Sequence, residues 1–133
     1  MNRCYAILGE TYKRQGSVVE SRFFLNQGLV LSRSLHSQNF ICSFELSLAE
    51  LDHCCNHLSD GEVWLKQASF VKEQMRDHLA PREQSNYFIV NGDQRNRQNM
   101  QQESIKEYEK AHATLGLVMS KKYIDGLDVV GQR

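Results

Sequence analysis

The first 80 residues carry apolar side chains at helical intervals, broken by short polar stretches. Tyr5, Leu8 and Tyr12, with Cys4 and Ile7 beside them, follow the i, i+3, i+4 spacing that lays one apolar stripe along a helix, and Gly16 closes the run. This predicts a first helix over residues 3–15. Ser17 and Glu20 have the spacing of a capping box, in which the hydroxyl accepts from an orphan N–H and the carboxylate reaches back to the serine N–H. A second helix is therefore expected from Val18 to about Leu35. The third, over 40–55, places Phe44, Leu48, Leu51 and Cys55 at steps of four, three and four. Ser59 and Glu62 repeat the capping box, so a fourth should begin near Asp60 and carry Trp64, Ala68, Val71 and Met75 on one face to Leu79. Four helices joined by short loops predict antiparallel hairpins.

The pattern weakens after Pro81, the only proline. Apolar residues fall from 36 of the first 80 to 18 of the last 53, which puts most of the core before it. A short apolar run at 87–90 ends in the turn-type triplet Asn91-Gly92-Asp93. Six of the nine residues 94–102 are Asn or Gln and only Met100 is a core former, a composition that predicts a flexible linker. Ile105, Tyr108, Leu115 and Met119 then define an amphipathic helix over about 103–123, with Gly126 as its expected stop. The expected fold is all-α: two hairpins over residues 1–80, a polar linker with a short apolar segment over 81–102, and a C-terminal helix over 103–125.

Shifting the chain by 40 positions pairs Leu8 with Leu48, Gly9 with Ala49, Phe23 with Val63, Phe24 with Trp64, Leu25 with Leu65, Gln27 with Gln67 and Gly28 with Ala68. A period of this length marks stacked supersecondary units, none able to bury its apolar face alone. The capping boxes lie 42 apart, so one hairpin turn should differ by two residues. Glycine inside a helix costs roughly 1 kcal/mol against alanine, and Gly28 in a well-patterned helix therefore implies close packing there.

Tyr5, Leu8, Gly9, Tyr12 and Gly16, followed by Ser21, Leu25 and Gly28, resemble the signature of the tetratricopeptide repeat. Residues 1–35 match well and 40–79 in part: Leu48-Ala49 stands for Leu-Gly, but Asp52 replaces the tyrosine and Gly61 the small residue. The period exceeds the usual 34, and the chain is similar to longer-helix members, most of all separase-type helical arms. That resemblance implies a protein-binding scaffold, a piece of the arm of the chromosome-segregation protease without its protease domain. It also implies that the first helix of each pair lines a concave groove. The groove residues would be Arg3, Ala6, Ile7, Glu10 and Lys13 from the first unit, and Ser43, Leu46, Ser47, Glu50 and His53 from the second, facing an extended or helical peptide. Glu10 and Glu50 stand where chaperone-binding members offer asparagine and lysine to a terminal carboxylate, which weighs against that ligand.

Composition narrows the partners. Sixteen basic side chains balance sixteen acidic ones, split 8 to 9 before Pro81 and 8 to 7 from it onward, so neither part has the basic footprint of a nucleic-acid binder. A mean hydropathy of −0.53 without an 18-residue apolar run gives no membrane span. Four cysteines are too few for a disulfide scaffold, and with no signal-peptide pattern a cytoplasmic or nuclear setting is expected.

No reaction is legible and no enzyme is expected. His53 and His57 are one helical turn apart and could share zinc, but Cys54 and Cys55 point about a hundred degrees apart and no second ligand pair follows. Cys4, Cys42 and Cys55 sit within amphipathic stripes rather than in an electropositive nucleophile setting. No metal, cofactor or catalytic residue is assigned. Arrays need about three units and capped ends, so two units imply a fragment of a larger scaffold or a chain completed by a partner. The rivals are a self-contained adaptor whose last helix folds back as a cap, and a small helical enzyme or ligand binder using His53, His57 or Cys54.

Overall fold

The computed structural model describes the backbone of residues 1–131 and the side chains of residues 1–116. Every regular element among them is helical: α1 (Asn2–Arg14), α2 (Val18–Ser34), α3 (Gln38–Cys54), α4 (Leu58–Met75), α5 (Pro81–Arg97) and α6 (Gln101–Gly131), with one 3-10 turn at Arg76–His78. The all-α expectation holds.

One turn type is used repeatedly. Gly16, His36, Asn56 and Asn99 each take a positive φ, between 54° and 79°, one residue beyond a helix C-cap. The N–H two residues past each cap returns to the carbonyl five residues earlier, as Ser17 to Tyr12, Ser37 to Ser32, His57 to Asp52 and Met100 to Arg95. These are Schellman turns, which satisfy the last carbonyls of one helix and start the next at once. Their spacing sets the repeat: Gly16 to Asn56 is 40 positions. The expected capping boxes do not form. Ser17 occupies an N-cap without a side-chain bond, and Ser59 lies inside α4, whose N-cap is His57. The turn, not the serine, decides where each helix begins, which removes the two-residue discrepancy.

Consecutive helices pack antiparallel. Ser32 of α2 lies against Asn2 at the start of α1, while Leu25 covers Gly9, where a Cβ would stand 2.5 Å from the leucine. A Cβ at Gly28 would overlap the Phe44 ring, so the expected close packing is real, and it joins α2 to α3. The core runs from Leu25 and Leu29 through Phe44, Leu48, Leu51, Leu65 and Ala68 to Leu79 and Val90. Its burial past Pro81 is the first sign of a third unit.

Residues 81–102 are not a linker. Pro81 opens α5 at its first turn, where its missing N–H is not needed. Gln94 is fully buried, donating to the Leu58 carbonyl at 3.0 Å, and Arg95 makes a two-pronged bond to Glu62 at 3.0 Å. Gly92 sits inside the helix, where a Cβ would meet Tyr108 at 2.8 Å. The turn falls instead at Asn99. Asn and Gln here fill a helix interface and a left-handed turn, roles that composition alone does not separate from disorder. Asn56 to Asn99 is 43 positions, because the Arg76–His78 turn lengthens the α4–α5 connection. Allowing for that shift, Gly9, Ala49 and Gly92 are equivalent, as are Ser21, Gly61 and Ser104. The Ser21 hydroxyl donates to the Gly9 carbonyl at 2.7 Å and Ser104 to the Gly92 carbonyl at 2.9 Å, the same contact in the first and third hairpins.

The C-terminal helix begins earlier than expected and runs through Gly126 to Gly131; Met119 and Tyr123 lie beyond the described side chains. Among the described residues it pairs with α5, and no pairing with the second hairpin is seen there.

Candidate functional site

Among the described residues, the first helices of the hairpins, α1, α3 and α5, approach one another in series, whereas the backbones of α2, α4 and α6 do not. Asn39 meets Ala80 and His53 meets Gln94, so α3 and α5 run in the same direction. The expected groove residues therefore lie on one set of neighbouring helices.

The structure brings three of them together. Lys13 of α1 bonds Glu50 of α3 at 2.8 Å and lies 3.2 Å from Glu10 one turn back. Burial pulls the Lys13 ammonium down, but the Glu50 bond and the field of both carboxylates outweigh it and hold its pKa above the ordinary lysine value. Asp93 on α5 is the equivalent of Glu10 and Glu50, so one carboxylate recurs at this position in all three hairpins. Asp93 accepts from the Tyr108 hydroxyl. Arg3 and Ile7 are exposed, Ala6, Ser43 and Ser47 are half-buried, and all remain open to a ligand at least in part.

Two expected groove residues are not there. Leu46 is 2% exposed and belongs to the core. His53 is equally buried, its ring against Gly61 and the Gln94 side chain. Burial depresses its pKa, and the neighbouring Gln94 offsets this only in part. Neither ring nitrogen has a well-formed bond among the described residues, so His53 acts as a neutral, packed side chain rather than a groove contact. The His53–His57 pair considered for zinc is split: the His53 ring is buried, while His57 is exposed at the N-cap position of α4, makes no side-chain cap bond, and lines a pocket with Asp52 instead.

Sequence reasoning missed the polar groups buried between hairpins. Asp52, noted only as a departure from the tyrosine pattern, is fully buried and bonds Arg22 at 2.6 Å. Glu45 occupies the position equivalent to Tyr5 and Phe88. Burial pushes its carboxyl up to about 7, with Arg33 at 3.7 Å pulling the other way. It borders a cleft of about 420 Å³ between α2, α3 and α4, lined also by Phe70 and Val71. A charged residue on the Ile41–Leu48 face was the signal that could have revealed it. Burial likewise pushes the Cys42 thiol up to about 12, a poor setting for a nucleophile.

Comparison with protein-family models, with curated proteins and with solved structures returns no match to this chain. No helix among the described residues is long and apolar enough to cross a membrane.

Proposed function

We propose that the chain is a helical-repeat scaffold of the tetratricopeptide type that binds a protein or peptide along α1, α3 and α5. The observation that carries this reading is the recurrence of one hairpin geometry, Ser21 on Gly9 and Ser104 on Gly92, with the first helices aligned side by side. That alignment leaves Arg3, Ile7, Ser43, Ser47 and the carboxylates Glu10, Glu50 and Asp93 along one series of helices. The ligand is an extended or helical segment of mixed charge, contacted locally rather than steered by a net field. The separase-type resemblance makes a chromosome-segregation assembly in the cytoplasm or nucleus the first partner to try.

A photo-crosslinking amino acid placed singly at Ile7, at Ser47 and, as a control, at the exposed Val30 of α2 tests the reading. Crosslinks to one partner from the first two positions and none from Val30 are expected. Equal crosslinking from Val30, or none from Ile7 and Ser47 in lysate where the intact chain captures a partner, would remove the groove from the account.

A further inference from the structure

We propose that Asp52, His57 and Asp60 form a binding site for one divalent transition-metal ion of the zinc type. One ligand atom from each side chain lies within 4.8 Å of the others. The α3–α4 turn builds the cluster. The His57 N–H donates to the Asp52 carbonyl at 2.8 Å, folding residues five apart onto each other, and Asp60 arrives from the first turn of α4.

A second observation points to a ligand. The Asp52 side chain is 1% exposed; Oδ1 accepts from Arg22 at 2.6 Å, and Oδ2 has no hydrogen-bond partner among the described residues. A buried carboxylate oxygen left unbonded is costly and uncommon. Asp52 borders a pocket of about 460 Å³ shared with His57, Asp60, Arg22, Val63 and Trp64, which gives a cation room to reach it. The Arg22 bond to the far oxygen then fixes the carboxylate, as outer-shell partners of metal ligands do.

The donor set selects the metal class. One imidazole nitrogen with carboxylate oxygens suits zinc and its neighbours, whereas magnesium and calcium demand six or more oxygens. No thiolate is part of the set. Bound there, the ion ties the end of α3 to the start of α4 beside the junction with α2.

Trp64 is the only tryptophan and lines the same pocket, so it reports occupancy. Cobalt(II) titrated into the full chain should quench its fluorescence saturably at one ion per chain, be displaced by zinc, and show visible bands without thiolate charge-transfer absorption. His57→Gln and Asp60→Asn should each weaken binding at least about ten-fold. Both side chains are exposed, so metal-free melting should change little, and each variant checks the other. The double change Cys54→Ser, Cys55→Ser should leave binding intact, and zinc should raise the melting temperature of the wild type but not of the His57 variant. Non-saturating quenching, unchanged affinity in both ligand variants, or loss of binding in the cysteine variant would overturn the proposal.

Discussion

The two junctions between hairpins use the same position with opposite polarity. At the first, Arg22 of α2 reaches Asp52 of α3; at the second, Glu62 of α4 reaches Arg95 of α5. Arg22 and Glu62 are equivalent, as are Asp52 and Arg95, so the charge alternates along the array. The first and third hairpins therefore present like charges to each other at this contact. Docking them in the wrong order would oppose Arg22 to Arg95, and the alternation disfavours it. The junctions also differ in closure. Arg95 and Glu62 form a two-pronged, partly exposed pair with Gln98 attached, while Asp52 is 1% exposed at the wall of a pocket, with one oxygen unbonded. The charge pair at the second junction is closed on itself, while at the first one carboxylate oxygen is left without a partner among the described residues.

The largest contrast is expected from the aromatic at each junction. Phe44 is fully buried on Gly28, whereas its equivalent Tyr87 is half-buried. Phe44→Ala should cost about 4 kcal/mol in urea unfolding and Tyr87→Ala about half as much. Equal costs would mean that the two junctions are packed alike.

The ion pairs should separate next. Arg22→Ala leaves a buried carboxylate unpaired and should cost about 3 kcal/mol. Arg95→Ala disrupts a pair whose partners are 24% and 26% exposed, and should cost about 1 kcal/mol. A larger loss from Arg95→Ala would reverse the assignment of which junction holds the more buried pair.

Titration should distinguish the junctions by sign. Glu45, at the first, has a folded pKa raised from 4.5 to about 7, so the folded state holds its proton longer than the unfolded chain and stability falls as pH rises from about 4.5 to 7. His53, facing the third hairpin, is depressed below 6.5; its contribution is complete above that pH and is lost as pH falls below it. Glu45→Gln should raise stability at pH 8 by about 1 to 3 kcal/mol and flatten the first slope. His53→Gln should flatten the second. Unfolding curves at intervals from pH 4.5 to 8 would show whether the slopes separate in this way.

The smallest effect concerns turns. His36 and Asn99 hold similar left-handed conformations, but asparagine tolerates that region better. His36→Gly should stabilise by up to about 1 kcal/mol and Asn99→Gly by less, read as small rises in melting temperature.

The first four helices were legible because Leu25, Phe44, Leu48 and Leu65 repeat at helical spacing and every turn between them is short. The fifth was not, since Gln94 reads as solvated until the Leu58 carbonyl is seen to accept its amide. Gly92 misled in a similar way: beside Asn91 and Asp93 it resembles a loop, while its absent side chain makes room for Tyr108. The placement of Glu10, Lys13 and Glu50 on neighbouring first helices followed from the repeat, though their ion pairing did not. Burial of His53 did not, because it depends on the third hairpin. The approach of Asp52 to His57 and Asp60 comes from a Schellman turn at Asn56, a residue whose conformation no hydrophobic pattern encodes.

A partner groove over α1, α3 and α5 requires residues 81–97 to be a stable third first-helix rather than a tether. Native-state hydrogen exchange measures this residue by residue. The account predicts that the amides of Val90, Gly92 and Gln94 exchange as slowly as those of Leu48 and Leu51 in α3. Exchange of residues 81–97 at the rate of an unstructured chain, with α3 still protected, would contradict it.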